Sequence, residues 1–163
     1  MTRADLLEVL CAETVQMTRD IILPVSVQRE DEYQTSRAAV VHKMRLPDGK
    51  STEKKAPYII HQIITGKDSQ QNGERAKGFT TIRSIFCVYG SNGEEGSLNL
   101  LNLMERCRIG LLQKVLIGQK YTLDLNEGIE VLIYPDDTSP YYLGEMVTTW
   151  TMPNIEREVS GWP

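Results

Sequence analysis

A chain of 163 residues with a formal net charge of −4 can close a hydrophobic core in one domain without metal or disulfide staples. Its 40% hydrophobic and 25% charged residues are those of an ordinary globular protein, and its net acidity excludes bulk attraction to nucleic acid or membranes. The three cysteines, Cys11, Cys87 and Cys107, are far apart and lack a CxxC, which points to thiols in a reducing cytoplasm, not to a disulfide framework or zinc site.

The N-terminal segment has acids inside its apolar pattern, so no signal peptide is expected, and no apolar run approaches the roughly 20 residues of a membrane span. Over residues 5–22 the spacing predicts a helix, with Leu6, Leu7, Leu10, Thr14 and Met17 on one face, Thr2 or Asp5 as cap, and Pro24 beyond the end. Residues 26–36 are polar and aperiodic and read as loop. A strand is expected over 37–46, then a charged turn-rich stretch, then a second strand over 58–66. The polar stretch 67–78 joins it to a third strand over 79–89, as a hairpin with an oversized tip.

The clearest helix is expected over 96–116, with Leu100, Leu101, Met104, Cys107, Leu111, Leu112 and Val115 as its stripe and Gly118 as its stop. Strands follow at 121–125, 129–134 and 143–152, the last ended by Pro153 and a short acidic tail, 153–163, that carries Trp162. No linker or repeat divides the chain. The expected fold is a single α+β domain: a mixed, mainly antiparallel sheet of about five or six strands flanked by two helices.

The glycine-rich turn VYGSNGEEGS (88–97) invites comparison with phosphate-binding loops. A Walker loop needs a lysine that is absent here, and Asn92 stands where a dinucleotide fingerprint has its second glycine. Glu94 and Glu95 themselves occupy the positive end of the helix dipole. Ser91 with Glu94, or Asn92 with Glu95, has capping-box spacing, so the turn reads as a helix start with its own anions. His42 and His61 are too few for a three-histidine zinc site. Both lie in expected strands, where either can pair with Cys87 across a sheet as a Cys–His couple, although histidines on a half-polar strand face are far more common. Asp136 and Asp137 share a loop that can attract a hard cation, although such loops are usually only solvated. The residues offer no convincing active site, and no cofactor is expected.

Charge is uneven along the chain. Residues 37–55 hold six basic side chains (Arg37, Lys43, Arg45, Lys50, Lys54, Lys55) against Asp48 and Glu53. From Asp124 onward eight acids face only Arg157. A basic edge meeting an acidic edge on the next copy builds a head-to-tail ring.

The order of segments resembles the tail terminator, or tail completion, proteins of long-tailed bacteriophages and prophages. The likeness runs from about Val40 to Glu158. It rests on RLP (45–47) leading to APYIIHQIITGKD (56–68), a strand ending in VYG, the helix LNLLNLMERCRIGLLQKVLIG (98–118), and YYLGEMVTTWTMPNIERE (141–158). The resemblance implies a structural protein, not an enzyme. It implies a homo-hexameric ring on the head-proximal end of the tail tube that ends tube polymerisation and presents a head-joining surface. The implied partners are the tail tube protein and a head–tail connector, with genomic DNA only passing through the pore and no membrane involved. The protein would be made in the bacterial host cytoplasm and reside in the virion tail. The polar loops 47–56 and 67–78 are then the candidate contacts, with Asp48, Lys50, Lys54, Lys55, Lys67, Asp68, Gln70, Gln71, Glu74 and Arg75, and Asp136 and Asp137 as a further loop. The alternatives are another neck or connector component, a small enzyme built on the Cys87–His61 couple, and a small-molecule binding module.

Overall fold

The computed structural model describes residues 1–25, 36–47, 56–135, 138–156 and 158. Helix α1 spans Arg3–Thr18 and helix α2 spans Gly93–Lys114. Strands β1 (Leu23–Pro24) and β2 (Ser36–Arg37) form a small antiparallel ribbon. The main sheet holds β3 (Val40–Lys43), β4 (Tyr58–Ser69), β5 (Lys77–Tyr89), β6 (Leu116–Ile117), β7 (Tyr121–Leu123), β8 (Glu130–Ile133) and β9 (Tyr141–Met152). Its order is β3-β4-β5-β9-β7-β6, with β8 also paired to β9. Only β3 and β4 run parallel. The α+β class, the two helices and the mainly antiparallel sheet are as expected. The sheet has seven strands because the two-residue β6 joins it.

Alternation along β5 and β9 decides where the core lies. Ile82, Ser84, Phe86 and Val88 are buried on one face beside Met146, Thr148 and Trp150. Both helices pack on that face. Leu6, Leu7 and Leu10 of α1 and Leu100, Leu103, Met104, Cys107 and Leu111 of α2 belong to the same cluster. Burying one such side chain contributes roughly 1.5–3 kcal/mol.

Helix α1 starts at Thr2, whose hydroxyl accepts from the Asp5 N–H at 3.1 Å. Its inward threonines donate to the preceding turn, Thr14 to Leu10 O (2.7 Å) and Thr18 to Thr14 O (2.8 Å), so neither hydroxyl is left without a partner in the core. The helix stops short of the expected 22, and Thr18 rather than Met17 is fully buried; Met17 lies against Gly110 of α2.

Helix α2 begins earlier than expected because Asn92 caps it, accepting from the N–H groups of Glu94 (3.0 Å) and Glu95 (3.4 Å). The glycines of this turn serve close packing. A Cβ on Gly96 would stand 2.3 Å from the Tyr142 ring, and one on Gly90 would stand 2.8 Å from the Gly96 Cα. The expected stop at Gly118 is corrected: the helix closes at Val115, with φ 57°, whose N–H returns to Leu111 O at 2.8 Å. Gly118 and Gln119, with φ near 58°, instead form the turn between β6 and β7. The expected stripe also shifts, since Leu103 is buried while Leu112 is exposed.

The expected strand over 37–46 is broken. Arg37 belongs to the ribbon, and β3 ends at Lys43 because Met44 adopts φ 66°. That turn lets Met44 finish the edge of β4: its N–H reaches His61 O (2.8 Å), and its carbonyl accepts from the Gln62 side chain (2.7 Å).

Candidate assembly surface

The face of the sheet opposite the helices carries the second, smaller cluster, with Ala56, Tyr58, Ile60 and Cys87 buried beside Leu46, Ile85, Tyr89, Tyr141 and Leu143. The rings of Tyr89 and Tyr141 lie 5.6 Å apart and tilted by 59°. Farther along, Thr81, Arg83, Val147 and Thr149 are half-buried, with no helix over them among the described residues. Arg83 Nε lies 3.4 Å from a Glu145 carboxylate oxygen, an ion pair without the alignment of a hydrogen bond. The same oxygen accepts from the Tyr134 hydroxyl at 3.2 Å. Burial, followed by the Glu145 charge, pushes the Tyr134 phenol above its ordinary pKa.

The expected loop at 67–78 is strand at both ends. Lys67 pairs with Phe79, Asp68 with Gly78 and Ser69 with Lys77, so only residues 70–76 form the tip. Composition concealed this extension, because backbone ladder bonds hold it and not apolar side chains. Arg3 pins it to the first turn of α1. Its guanidinium donates to Thr80 Oγ1 (2.8 Å), Phe79 O (3.2 Å) and Asp68 Oδ2 (3.2 Å). At the tip Gly73 takes φ 80°, Glu74 N–H bonds Gln71 O (3.0 Å), and the Gln70 side chain donates to Glu74 O (3.2 Å). Lys77 lies 3.5 Å from Glu74. Gln70, Arg75 and Ala76 border a cleft of about 350 Å³ closed on the other side by Asn154, Ile155 and Glu156. Lys67, Asp68, Gln70, Gln71, Glu74 and Arg75 are thus brought together on one projecting, exposed hairpin. Asp48, Lys50, Lys54, Lys55, Asp136 and Asp137 lie outside the described residues, as does Trp162.

The basic stretch contributes less free charge to the surface than its composition suggests. Arg37 donates to Ala38 O (3.1 Å) and Pro57 O (2.8 Å), and Lys43 is held by Glu8 of α1.

The Cys87–His61 couple, the alternative an enzyme would need, does not form. Cross-strand register sets Tyr58 opposite Cys87 and Ile59 opposite Phe86, which sends Cys87 to the open face, whereas His61 lies opposite Ser84 on the helix face. His61 is fully buried there. Its Nδ1 is 2.7 Å from Ser84 Oγ and its Nε2 is 2.8 Å from Thr14 Oγ1. Because the Thr14 hydroxyl donates to Leu10 O, it accepts from Nε2–H, which leaves Nδ1 to accept from Ser84. Burial pushes the imidazole down to about 4, so it is a neutral structural bridge between α1 and the sheet. Burial also pushes the Cys107 thiol up to about 12 and that of Cys11 up to about 11. Among the described residues no group of three His, Cys, Asp or Glu side chains is placed to hold a metal ion, and no helix is long and apolar enough to cross a membrane.

Two stretches of open edge were not legible in the sequence. Among the described residues, β4 beyond Gln62 has no strand on its outer side, and β8 pairs only with β9. No family model matches the chain, and no curated protein matches it.

Proposed function

We propose that this chain is a tail terminator: a structural protein whose copies form a ring, a homo-hexamer, on the head-proximal end of a phage tail tube. The observation that carries this is a sheet that, among the described residues, has helices on one face only, with an exposed hairpin and open stretches of edge on β4 and β8. Such surfaces suit a molecule that works through contacts with copies and neighbours. The segments that resemble the tail terminators supply β4, the end of β5, α2 and β9, the elements that build this frame. In this role the ring meets the last layer of the tube protein on one side and the head–tail connector on the other. Its axial surfaces differ, so polymerisation ends where the ring sits. DNA passes through without being gripped, and no cofactor takes part. The protein is made in the host cytoplasm and ends in the virion tail.

Deleting the gene from its phage or prophage tests this. Tails of uncontrolled length, restored to a uniform length by the wild-type gene in trans, support the role. Tails of normal length that join heads contradict it.

A further inference from the structure

The two outer edges match each other. β8 turns the backbone groups of Val131 and Ile133 outward, because Tyr134 N–H bonds Leu143 O (3.1 Å) and hydrogen-bonded positions alternate along an antiparallel pair. In β4 the groups of His61 face β3, since His61 O accepts from Met44 N–H. Alternation through the bulge at Ile63/Thr65 then turns Gly66 and Asp68 outward. β8 is short and begins with a glutamate, yet it leaves apolar side chains at its open edge: Leu132 is 48% and Ile133 41% exposed, and no lysine or proline interrupts Glu130–Ile133.

We propose that β8 of one copy adds antiparallel to the outer edge of β4 of the next, with Val131 opposite Gly66. This register satisfies four conditions at once. It pairs outward backbone groups with outward backbone groups. It sets Glu130 opposite Lys67, both exposed, as an ion pair. It brings Ile133 against Ile64, which is 50% exposed. It also continues the sheet with the helix-bearing face of both copies on the same side, because opposed residues of an antiparallel pair share a face. The occupant is therefore a second copy of this chain, which carries both complementary edges. Since the edges differ, the contact is head-to-tail, and each copy uses both of them in a closed ring. This contact rests on the ring-forming role proposed above and identifies the surfaces that close it.

The test is a cysteine pair. Directly opposed residues at a non-hydrogen-bonded position lie about 4.5 Å apart between Cα atoms, within disulfide reach. The chain carrying both Lys67→Cys and Glu130→Cys, oxidised at high protein concentration, is expected to give a ladder of covalent multimers on a non-reducing gel, while either single variant gives monomer. In the background of native cysteines, Lys67→Glu or Glu130→Lys alone is expected to weaken self-association on the order of tenfold, and the two reversals combined to restore it. No ladder from the double-cysteine chain, or a covalent dimer from Glu130→Cys alone, overturns the pairing. If light scattering still shows concentration-dependent rings in that case, the ring stands and only its surfaces are misassigned. A wild-type chain that forms no ring in solution or on tails removes the role as well.

Discussion

Acid should loosen this fold through His61, well before its surface carboxylates protonate. The imidazole is fully buried between the Thr14 and Ser84 hydroxyls and is held neutral, with a pKa of about 4 against 6.5 for an ordinary histidine. Between those values the unfolded chain binds a proton that the folded chain refuses. The stabilisation is whole above pH 6.5 and is lost progressively as the pH falls toward 4. Each pH unit in that window removes about 1.4 kcal/mol, so the loss is about 2 kcal/mol at pH 5 and about 3 kcal/mol near pH 4. The carboxyls of Asp5, Asp20 and Glu105 are held low by hydrogen bonds from Tyr121, Arg106 and Arg108, so their contributions fade only below their ordinary values of 3.8 to 4.5. The two windows overlap only between about pH 4 and 4.5. Urea unfolding followed by circular dichroism from pH 7.5 to 4.5, on the wild type and on His61→Gln, isolates the histidine, because glutamine keeps a donor and an acceptor but does not titrate. The wild type should lose stability over this range and the variant should stay nearly level. Parallel curves for the two proteins would refute a neutral, buried bridge at this position.

Ser84→Ala removes the hydroxyl that serves His61 Nδ1 and should cost about 1–3 kcal/mol at pH 7, read as a lowered urea midpoint with an unchanged slope. Gly96→Ala drives a methyl toward the Tyr142 ring and should cost about 1–3 kcal/mol in thermal melts, with much of the loss recovered by adding Tyr142→Ala. Replacing residues 70–76 by Asn-Gly joins Ser69 to Lys77, already cross-strand partners, through a two-residue turn. Melting should change little, while tails assembled with this variant should lose length control.

The sequence revealed most where side-chain pattern decides the structure. Helix α2 announced itself through its apolar stripe, although Asn92 starts it before the expected 96, and β9 through strict alternation ended by Pro153. Backbone-driven features were hidden. The last three residues of β4 read as loop because Lys67 and Asp68 are poor strand formers; the neighbour β5 and the Arg3 clamp hold them extended. The break at Met44 depends on a left-handed residue that no glycine or asparagine signals. The helix stop at Val115 was missed for the same reason. His61 and Cys87 looked like a couple because both sit in neighbouring strands, and only register shows that they occupy opposite faces. Lys43 and Arg37 counted as surface charge until Glu8 and the backbone carbonyls beside Pro57 were seen to hold them. The exposure of the hairpin residues was legible in composition, whereas the open edge of β8 was not, because a four-residue strand carries no sign of which side lacks a neighbour.

The most direct test of the central claim is an averaged electron-microscopic image of purified tails, with this chain labelled. The expected image shows six copies around the axis at the head-proximal end, in a single layer above the last tube ring. Label spread along the tube, at the distal tip, or absent from finished tails would contradict it.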